Sequence, residues 1–145
     1  MRVKRINDKA TLPTHGSKEA AGWDLYALIE SGGVIAIKPK ETEIIHTGII
    51  VEVPQGYFGG IYARSGLATK RGLRPSNCTG VVDSDFRGEV LVGLYNDSDE
   101  TQIVCHGDRV AQMIIQPYAE KQVIEEVMEV SKTDRGTGGF GSTGS

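Results

Sequence analysis

The sequence predicts an all-β fold, and three observations indicate it. Apolar residues are β-branched and alternate with polar ones over short stretches. Turn-forming residues separate these stretches at spacings near ten residues, which is typical of a sandwich, barrel or jelly roll. Glycine accounts for 19 of the 145 residues, about twice its usual share of roughly 7%. We therefore expect many tight turns between short strands.

The predicted strands and turns alternate along the chain. Four apolar stretches predict strands, at residues 34–37, 49–53, 90–94 and 110–115. Turn residues stand between them, at Gly32-Gly33, Pro54-Gln55-Gly56, Asn96-Asp97-Ser98 and Gly107-Asp108. Only Ser65 to Arg71 has the Ala, Leu and Lys content of a helix, and Gly72 is expected to end it.

Length and charge limit the possible functions. A chain of 145 residues is about one domain. Its 16 Lys and Arg residues against 19 Asp and Glu residues give a net charge of −3, so no basic excess is available for a DNA or RNA backbone. No apolar run approaches the ~20 residues that span a bilayer, and no secretion signal is visible. A cytosolic or nuclear protein without nucleic-acid or membrane partners is expected.

Cysteine and histidine are sparse. Cys78 and Cys105 are too few for a disulfide framework, which favours a reducing compartment. The histidines have no metal-ligand spacing with these cysteines, so a zinc site is not expected. A nucleophilic Cys or Ser with a histidine base is not supported either.

The composition changes near residue 131. We expect residues 1–134 to form the β domain and residues 135–145 to form a mobile glycine-rich arm. Such a segment buries too little to offset about 1 to 2 kcal/mol of backbone entropy per ordered residue. Its glycines, hydroxyls and Arg135 are suited to a polyphosphate, whereas a plain flexible tail is the alternative. Phe140 favours binding, because its ring could stack on a base.

A pair of carboxylates follows the stretch at residues 80–82. Asp83 and Asp85 stand two residues apart, so in an extended chain both would face the same side. Such a pair could hold a metal ion or activate a water molecule against a phosphorus atom. A solvated, Asp-rich turn is the commoner alternative.

Three further segments carry candidate site residues. Ser65 is predicted to cap the short helix, and Arg64 beside it would add positive charge for an anion, although an ordinary cap with a surface arginine is the alternative. Asp24 is predicted to be an inward-facing acid on a strand, which is more often structural than catalytic. Gln112, after the Gly107-Asp108 turn, is either a satisfied amide or a ligand donor.

Five segments, in this order, resemble the motifs of the homotrimeric dUTP pyrophosphatase (dUTPase) family. They are AGWDLYA (21–27), YARSGLA (62–68), NCTGVVDSDFRGE (77–89), GDRVAQMII (107–115) and RGTGGFGST (135–143). The resemblance implies a β jelly roll, a homotrimer with shared active sites and Mg²⁺ as cofactor. It also implies hydrolysis of dUTP to dUMP and pyrophosphate by water attack on the α-phosphorus, which would keep uracil out of DNA and supply dUMP for thymidylate synthesis.

The resemblance implies roles for individual residues. Asp83 matches the acid that orients and deprotonates the attacking water, and Asp24 matches the acid that meets magnesium through water. The matches to the nucleoside-binding hairpin are Asn77, Gly80 and Val81, with Phe86 beneath the deoxyribose. The matches to the phosphate-binding residues are Arg64, Ser65, Gly66 and Gln112. The arm would close over the site of a neighbouring subunit. In it, Phe140 matches the ring that lies over uracil, and the residues that match those near the γ-phosphate are Arg135, Ser142 and Thr143. Gly141 is a further match to a substrate-binding residue.

Two positions depart from the family's motifs. Phe86 replaces the usual Tyr, but it keeps the ring that would block a 2'-hydroxyl, so discrimination against UTP is expected to survive. Ala63 replaces the usual Pro, so the loop before Arg64 loses a fixed φ, and activity is expected to be retained. Two alternatives within the fold are a dCTP deaminase relative and a non-catalytic nucleotide-binding module that acts as a switch.

Overall fold

A computed structural model of the chain describes residues 1–30, 33–119 and 123–139. It contains twelve strands and one helix within those residues. The strands are β1 (Arg2–Arg5), β2 (Thr14–His15), β3 (Trp23–Tyr26), β4 (Val34–Ile37), β5 (Thr42–His46), β6 (Ile49–Glu52), β7 (Tyr57–Tyr62), β8 (Leu73–Pro75), β9 (Gly80–Val82), β10 (Leu91–Asn96), β11 (Gln102–Cys105) and β12 (Arg109–Pro117). The helix, α1, is Ser65–Arg71.

The strands pair in four antiparallel sheets. The largest has the order β2-β3-β12-β7-β9, and a three-stranded sheet has the order β5-β10-β8. Two further pairs, β1 with β6 and β4 with β11, complete the arrangement. The all-β prediction is confirmed, although the described strands do not close into a barrel.

The predicted strands are present with small shifts at their ends. The prediction for residues 34–37 matches β4, and the other three predicted stretches lie within one or two residues of β6, β10 and β12. The turn before β7 forms as expected, with Tyr57 N–H donating to Pro54 O at 3.2 Å and Gly56 at φ +80°. Gly32 of the predicted Gly32-Gly33 turn lies outside the described residues.

The helix has the predicted bounds, but its first turn differs from the prediction. Gly72 ends α1 in the left-handed region at φ +65°, as expected. Arg64, not Ser65, is the N-cap residue, and no side chain in the described part of the chain caps the helix. Arg64 O accepts the N–H groups of Leu67 and Ala68 at 3.0 and 2.9 Å. The prediction for Ser65 is wrong because the helical hydrogen bonds begin one residue earlier.

The sheets share one apolar core. Each side chain buried in it is worth about 1.5 to 3 kcal/mol relative to exposure. The core includes Leu25, Ile37, Ile45, Val51, Ile61, Leu73, Val82, Leu94, Val104 and Met113. Asn96 is also buried, and its amide donates to Ile37 O at 2.9 Å and to Glu100 O at 2.7 Å. Both cysteines are free thiols, and no helix in the described ranges is long and apolar enough to cross a membrane.

A β-bulge interrupts the pairing of β12 with β3. The register shifts between Arg109, which pairs with Tyr26, and Ala111, which pairs with Leu25. Val110 and Ala111 are therefore both buried in succession. As a result, Arg109 and Gln112 lie on the same, outer face of the large sheet.

Candidate active site

Asp24 on β3 holds two arginine side chains. Its Oδ1 accepts from Arg64 Nε at 2.7 Å, and its Oδ2 accepts from Arg109 Nη1 at 3.3 Å. The Asp24 side chain is only 8% exposed, and a carboxylate so buried requires compensation by paired cations. Asp24 is buried as predicted, but it lies on the outer face of the large sheet, because Leu25 and Ala111 take the core face.

Gln112 lies beside Asp24 and holds the loop before the helix. The two residues are directly opposite each other in the antiparallel pair of β3 and β12. Gln112 Nε2 donates to Ala63 O at 2.9 Å. This bond fixes the backbone at the position where the family usually has proline. Ser65 and Gly66 then form the first turn of α1, and no described atom apart from the adjacent residues and the helix backbone lies within 4 Å of a Cβ built on Gly66.

A second group of predicted residues lines a cleft of about 360 Å³. Asn77, Gly80, Val81 and Phe86 all contribute to its walls, together with residues of β5 and β10. Val81 is 62% exposed and Phe86 is 43% exposed. Apolar side chains that line an open cleft are typical of a ligand site. The structure therefore brings the predicted nucleoside-binding residues together.

The segment from the β8–β9 loop into β9 lies close against β7. Cys78 adopts φ +62°, and Thr79 N–H donates to Asn77 O at 2.6 Å. A Cβ on Gly80 would lie 3.2 Å from Ile61 Cβ and 3.3 Å from Asn77 Nδ2. The backbone at the start of β9 can approach β7 this closely because residue 80 has no side chain.

Asp83 begins a tight turn directly after β9. Phe86 N–H donates to Asp83 O at 3.2 Å, and Ser84 and Asp85 form the turn. The extended conformation in which Asp83 and Asp85 would face the same side is absent, because this turn reverses the chain. Asp83 lines a second, polar cleft of about 660 Å³, with Glu52 and Arg87 also in its wall. The cleft of about 360 Å³ that Phe86 lines is called the nucleoside cleft below, after its predicted ligand.

Arg87 braces the turn from outside. Its Nη1 donates to Ser84 O and to Phe86 O, both at 2.8 Å. The planar guanidinium thus holds two carbonyl groups of the segment that joins Asp83 to Phe86. The motif NCTGVVDSDFRGE contains this arginine, but sequence reasoning gave it no role.

Glu89 anchors the far end of the same segment. Its Oε1 accepts from the N–H groups of Gly48 and Thr47 at 2.7 and 3.1 Å, and His46 Nδ1 donates to Oε2 at 2.9 Å. Burial raises the pKa of this carboxyl, but the hydrogen bonds from Gly48, His46 and Thr47 and the charge of His46 outweigh burial and lower the pKa of Glu89 below its ordinary value.

The two groups of predicted residues lie far apart in one chain. In the strand order β3-β12-β7-β9, Asp24 and Gly80 are separated by three strand spacings, about 14 Å at roughly 4.8 Å each. Val82 pairs with Gly59, three residues before Tyr62, which adds about 10 Å along the strands. Asp24 and Asp83 therefore cannot reach the same phosphorus atom within one chain.

The arm is described only as far as residue 139. Arg135 Nε donates to Gly138 O at 2.8 Å, and the side chain is exposed. Phe140, Gly141, Ser142 and Thr143 lie outside the described residues. The division of the chain after residue 134 stays a prediction.

Arg109 is the residue near Asp24 that sequence reasoning missed. The signal was present, since two apolar residues, Val110 and Ala111, separate Arg109 from Gln112 where strict alternation would place one. A bulge is one explanation of such a pattern. Only the register of β12 against β3 shows that a bulge is present, and this register cannot be predicted from the sequence.

No metal site is formed by the described side chains themselves. Among residues 1–30, 33–119 and 123–139, no three or more His, Cys, Asp and Glu side chains are grouped so that they could hold a metal ion. Any metal at this site would need ligands from the substrate, from water or from another copy of the chain.

Comparison with known proteins gives one consistent result. The dUTPase family model matches residues 8–144. A deoxyuridine 5'-triphosphate nucleotidohydrolase of Syntrophotalea carbinolica is 44% identical over 99% of this chain and 96% of the relative, and one of Nautilia profundicola is 43% identical over 99% and 98%. The structure of the Staphylococcus bacteriophage 80alpha dUTPase with dUPNHPP is similar, with a TM-score of 0.84, 26% identity, and 99% and 98% of the two chains covered. The chain belongs to the dUTPase family.

Proposed function

We propose that the chain hydrolyses dUTP to dUMP and pyrophosphate in active sites that are shared between three copies. The observation that carries this proposal is the separation of the two halves of the site. The nucleoside cleft and Asp83 lie at one end of the large sheet, and the arginines with Asp24 and Gln112 lie across it. A second copy that brings its arginines to the first copy's Asp83 would complete a site that one chain leaves divided.

Asp83 is the proposed general base. It orients a water molecule and takes its proton while the water attacks the α-phosphorus in line with the leaving pyrophosphate. Catalysis then rests mainly on positioning and on neutralisation of charge. The turn closed by Phe86 N–H supports this role, because it holds the Asp83 backbone at the polar cleft that Asp83 lines.

The nucleoside cleft is proposed to select deoxyuridine. Backbone groups at Asn77, Gly80 and Val81 would read the uracil edge, and the close approach of Gly80 to Ile61 and Asn77 supports a slot without room for a 5-methyl group. Cytosine would leave fixed donors and acceptors unpaired, which costs about 1 to 3 kcal/mol per buried group. The Phe86 ring would occupy the space that a 2'-hydroxyl needs.

Arg64, Ser65, Gly66 and Gln112 are proposed to bind the phosphates. Magnesium ion would be held chiefly by the triphosphate, since Mg²⁺ keeps several waters and binds few protein carboxylates. Asp24 fits a contact through water, because each of its oxygens accepts one hydrogen bond from arginine and has lone-pair capacity for another. When bound, the ion would neutralise charge on the phosphates.

The segment after β12 supports assembly with other copies. Val123, Ile124, Met128 and Val130 are each more than four-fifths exposed in a single chain. Apolar side chains concentrated in this way are typical of a surface that another chain covers. The arm that follows, with Arg135, Phe140, Gly141, Ser142 and Thr143, is proposed to close over a neighbour's nucleotide and exclude bulk water. A cytosolic or nuclear location stays a prediction.

Mixing two inactive variants tests the shared site. Asp83→Asn removes the base from one half, and Arg64→Gln removes a phosphate ligand from the other. If each site takes the two residues from different copies, random mixing in equal amounts restores about a quarter of full activity, because half of the copies are intact at each position. A site within one chain would leave the mixture inactive. Each variant dissociated and reassembled alone is the control.

A further inference from the structure

The β-bulge in β12 has a chemical consequence. Without the extra residue, Arg109 and Gln112 would point to opposite faces of the sheet. With it, Arg109 joins Asp24 and Gln112 on the outer face, and its Nη1 reaches Asp24 Oδ2 at 3.3 Å. Bulges of this kind are over-represented beside active sites, where they redirect a side chain.

Arg109 keeps most of its hydrogen-bonding capacity. A guanidinium has five N–H donors, and among the described residues the Arg109 side chain makes one hydrogen bond, to Asp24. Its side chain is 49% exposed, whereas that of Arg64 is 26% exposed. Arg64 donates to Asp24 through Nε alone, so both of its terminal nitrogens remain available, whereas Arg109 uses one N–H of Nη1 and keeps Nη2 available.

The two arginines line one small cavity. It has a volume of about 210 Å³, and Arg71 contributes a third guanidinium to its wall. Arg71 is engaged by Gln102 Oε1 and Ile103 O. Asp108 is the carboxylate in this wall, and its Oδ2 accepts from Cys105 N–H at 2.8 Å. The cavity is therefore positively charged, and Arg64 and Arg109 provide its available donors.

We propose that Arg109 is a further phosphate-binding residue, which binds the polyphosphate chain of the substrate alongside Arg64. Asp24 sets the spacing of the two guanidinium groups, because one oxygen holds each of them. Two planar forks held by one carboxylate can bind adjacent phosphate groups, and each contact is a charge-assisted hydrogen bond. The identity of the polyphosphate as that of dUTP rests on the proposed function.

The test compares Arg109→Gln with Arg109→Lys in the full chain. Calorimetry measures the affinity of each protein for inorganic tripolyphosphate and for deoxyuridine, and pyrophosphate release gives kcat and KM for dUTP. We expect Arg109→Gln to weaken tripolyphosphate binding and raise the KM by about tenfold or more, with deoxyuridine affinity unchanged within about twofold. Arg109→Lys keeps the charge but loses the planar guanidinium, so its tripolyphosphate affinity and its KM should lie between those of the unaltered protein and Arg109→Gln.

Arg5→Gln is the matched control, because Arg5 is an exposed arginine on β1, which belongs to a different sheet. It should leave both affinities, kcat and KM unchanged. Unaltered tripolyphosphate binding by Arg109→Gln would overturn the proposal and leave Arg109 as an ion-pair partner of Asp24 alone. An equal loss of deoxyuridine affinity would also overturn it, since that outcome indicates general disruption.

The same measurements separate this inference from the proposed function. If the unaltered protein does not hydrolyse dUTP but binds tripolyphosphate through Arg109, the proposed function fails and the phosphate-binding role of Arg109 stands. If the unaltered protein hydrolyses dUTP and Arg109→Gln has the same KM and tripolyphosphate affinity, only the role of Arg109 fails.

Discussion

A Cβ atom on Gly22 would lie 2.7 Å from Oε1 of Gln112. Real Cβ contacts are essentially never so short, so the Gln112 amide occupies space that any other residue at position 22 would fill. Because that amide donates to Ala63 O, Gly22 indirectly sets the position of the loop that carries Arg64.

Gly22→Ala should therefore displace the Gln112 side chain. We expect the KM for dUTP to rise by about tenfold and the free energy of unfolding to fall by about 1 kcal/mol, the worth of one hydrogen bond. Steady-state kinetics and urea denaturation measure the two effects. Gly16→Ala is the control, since a Cβ there would meet Asp24 Oδ2 at an ordinary 3.7 Å. An unchanged KM in Gly22→Ala would contradict the role of this contact.

Arg87→Met tests the brace on the Asp83 turn. Methionine has no N–H group that could donate to the carbonyls of Ser84 and Phe86, so Asp83 should lose its fixed position. We expect kcat to fall by about tenfold while the free energy of unfolding changes by less than about 1 kcal/mol. Stopped-flow single-turnover kinetics would separate this chemical step from substrate binding. A change in KM alone would mean that the turn does not position the base.

Glu89 predicts a specific pH dependence of stability. Its folded pKa is lowered below the ordinary 4.5, so its contribution is fully present above that value and is lost as the pH falls through the lower folded pKa. The difference in unfolding free energy between the unaltered protein and Glu89→Gln should therefore shrink on acidification. Urea denaturation from about pH 7 to about pH 3.5 measures it. A difference in unfolding free energy that stays constant across this pH range would show that the lowered pKa of Glu89 does not contribute to stability.

Phe86→Tyr tests how the sugar is selected. The ring lies against Gly88, where a Cβ would come within 2.5 Å of Phe86 Cζ, so the ring position is defined by packing. Adding a hydroxyl should change the ratio of kcat/KM for dUTP to that for UTP by less than about threefold. Phe86→Ala should reduce this ratio strongly. A change of orders of magnitude in Phe86→Tyr would show that the phenolic hydroxyl selects the sugar.

Local features of the sequence predicted local features of the structure. The helix Ser65–Arg71, its end at Gly72 and the strand at residues 34–37 follow from propensity and turn chemistry. The resemblance to motifs also grouped Asn77, Gly80, Val81 and Phe86, which line one cleft in the structure.

Features that depend on pairing between distant residues were not predicted. β5 was missed because Ile45 is its one buried side chain, so alternation is weak there. The position of Arg109 depends on a register shift against β3, which no local pattern determines. The turn at Asp83 was predicted only as an alternative, because the residues Val-Val-Asp-Ser-Asp can either continue a strand or end it and form a turn.

Pyrophosphate release from dUTP, measured beside dTTP, dCTP and UTP with magnesium and then with EDTA, tests directly whether the protein is a dUTP-specific hydrolase. We predict turnover of dUTP alone, its loss in EDTA, and loss of most turnover in Asp83→Asn, which should still bind dUTP. Release of ammonia from dCTP, or no turnover of any nucleotide by folded protein, would contradict the proposed function.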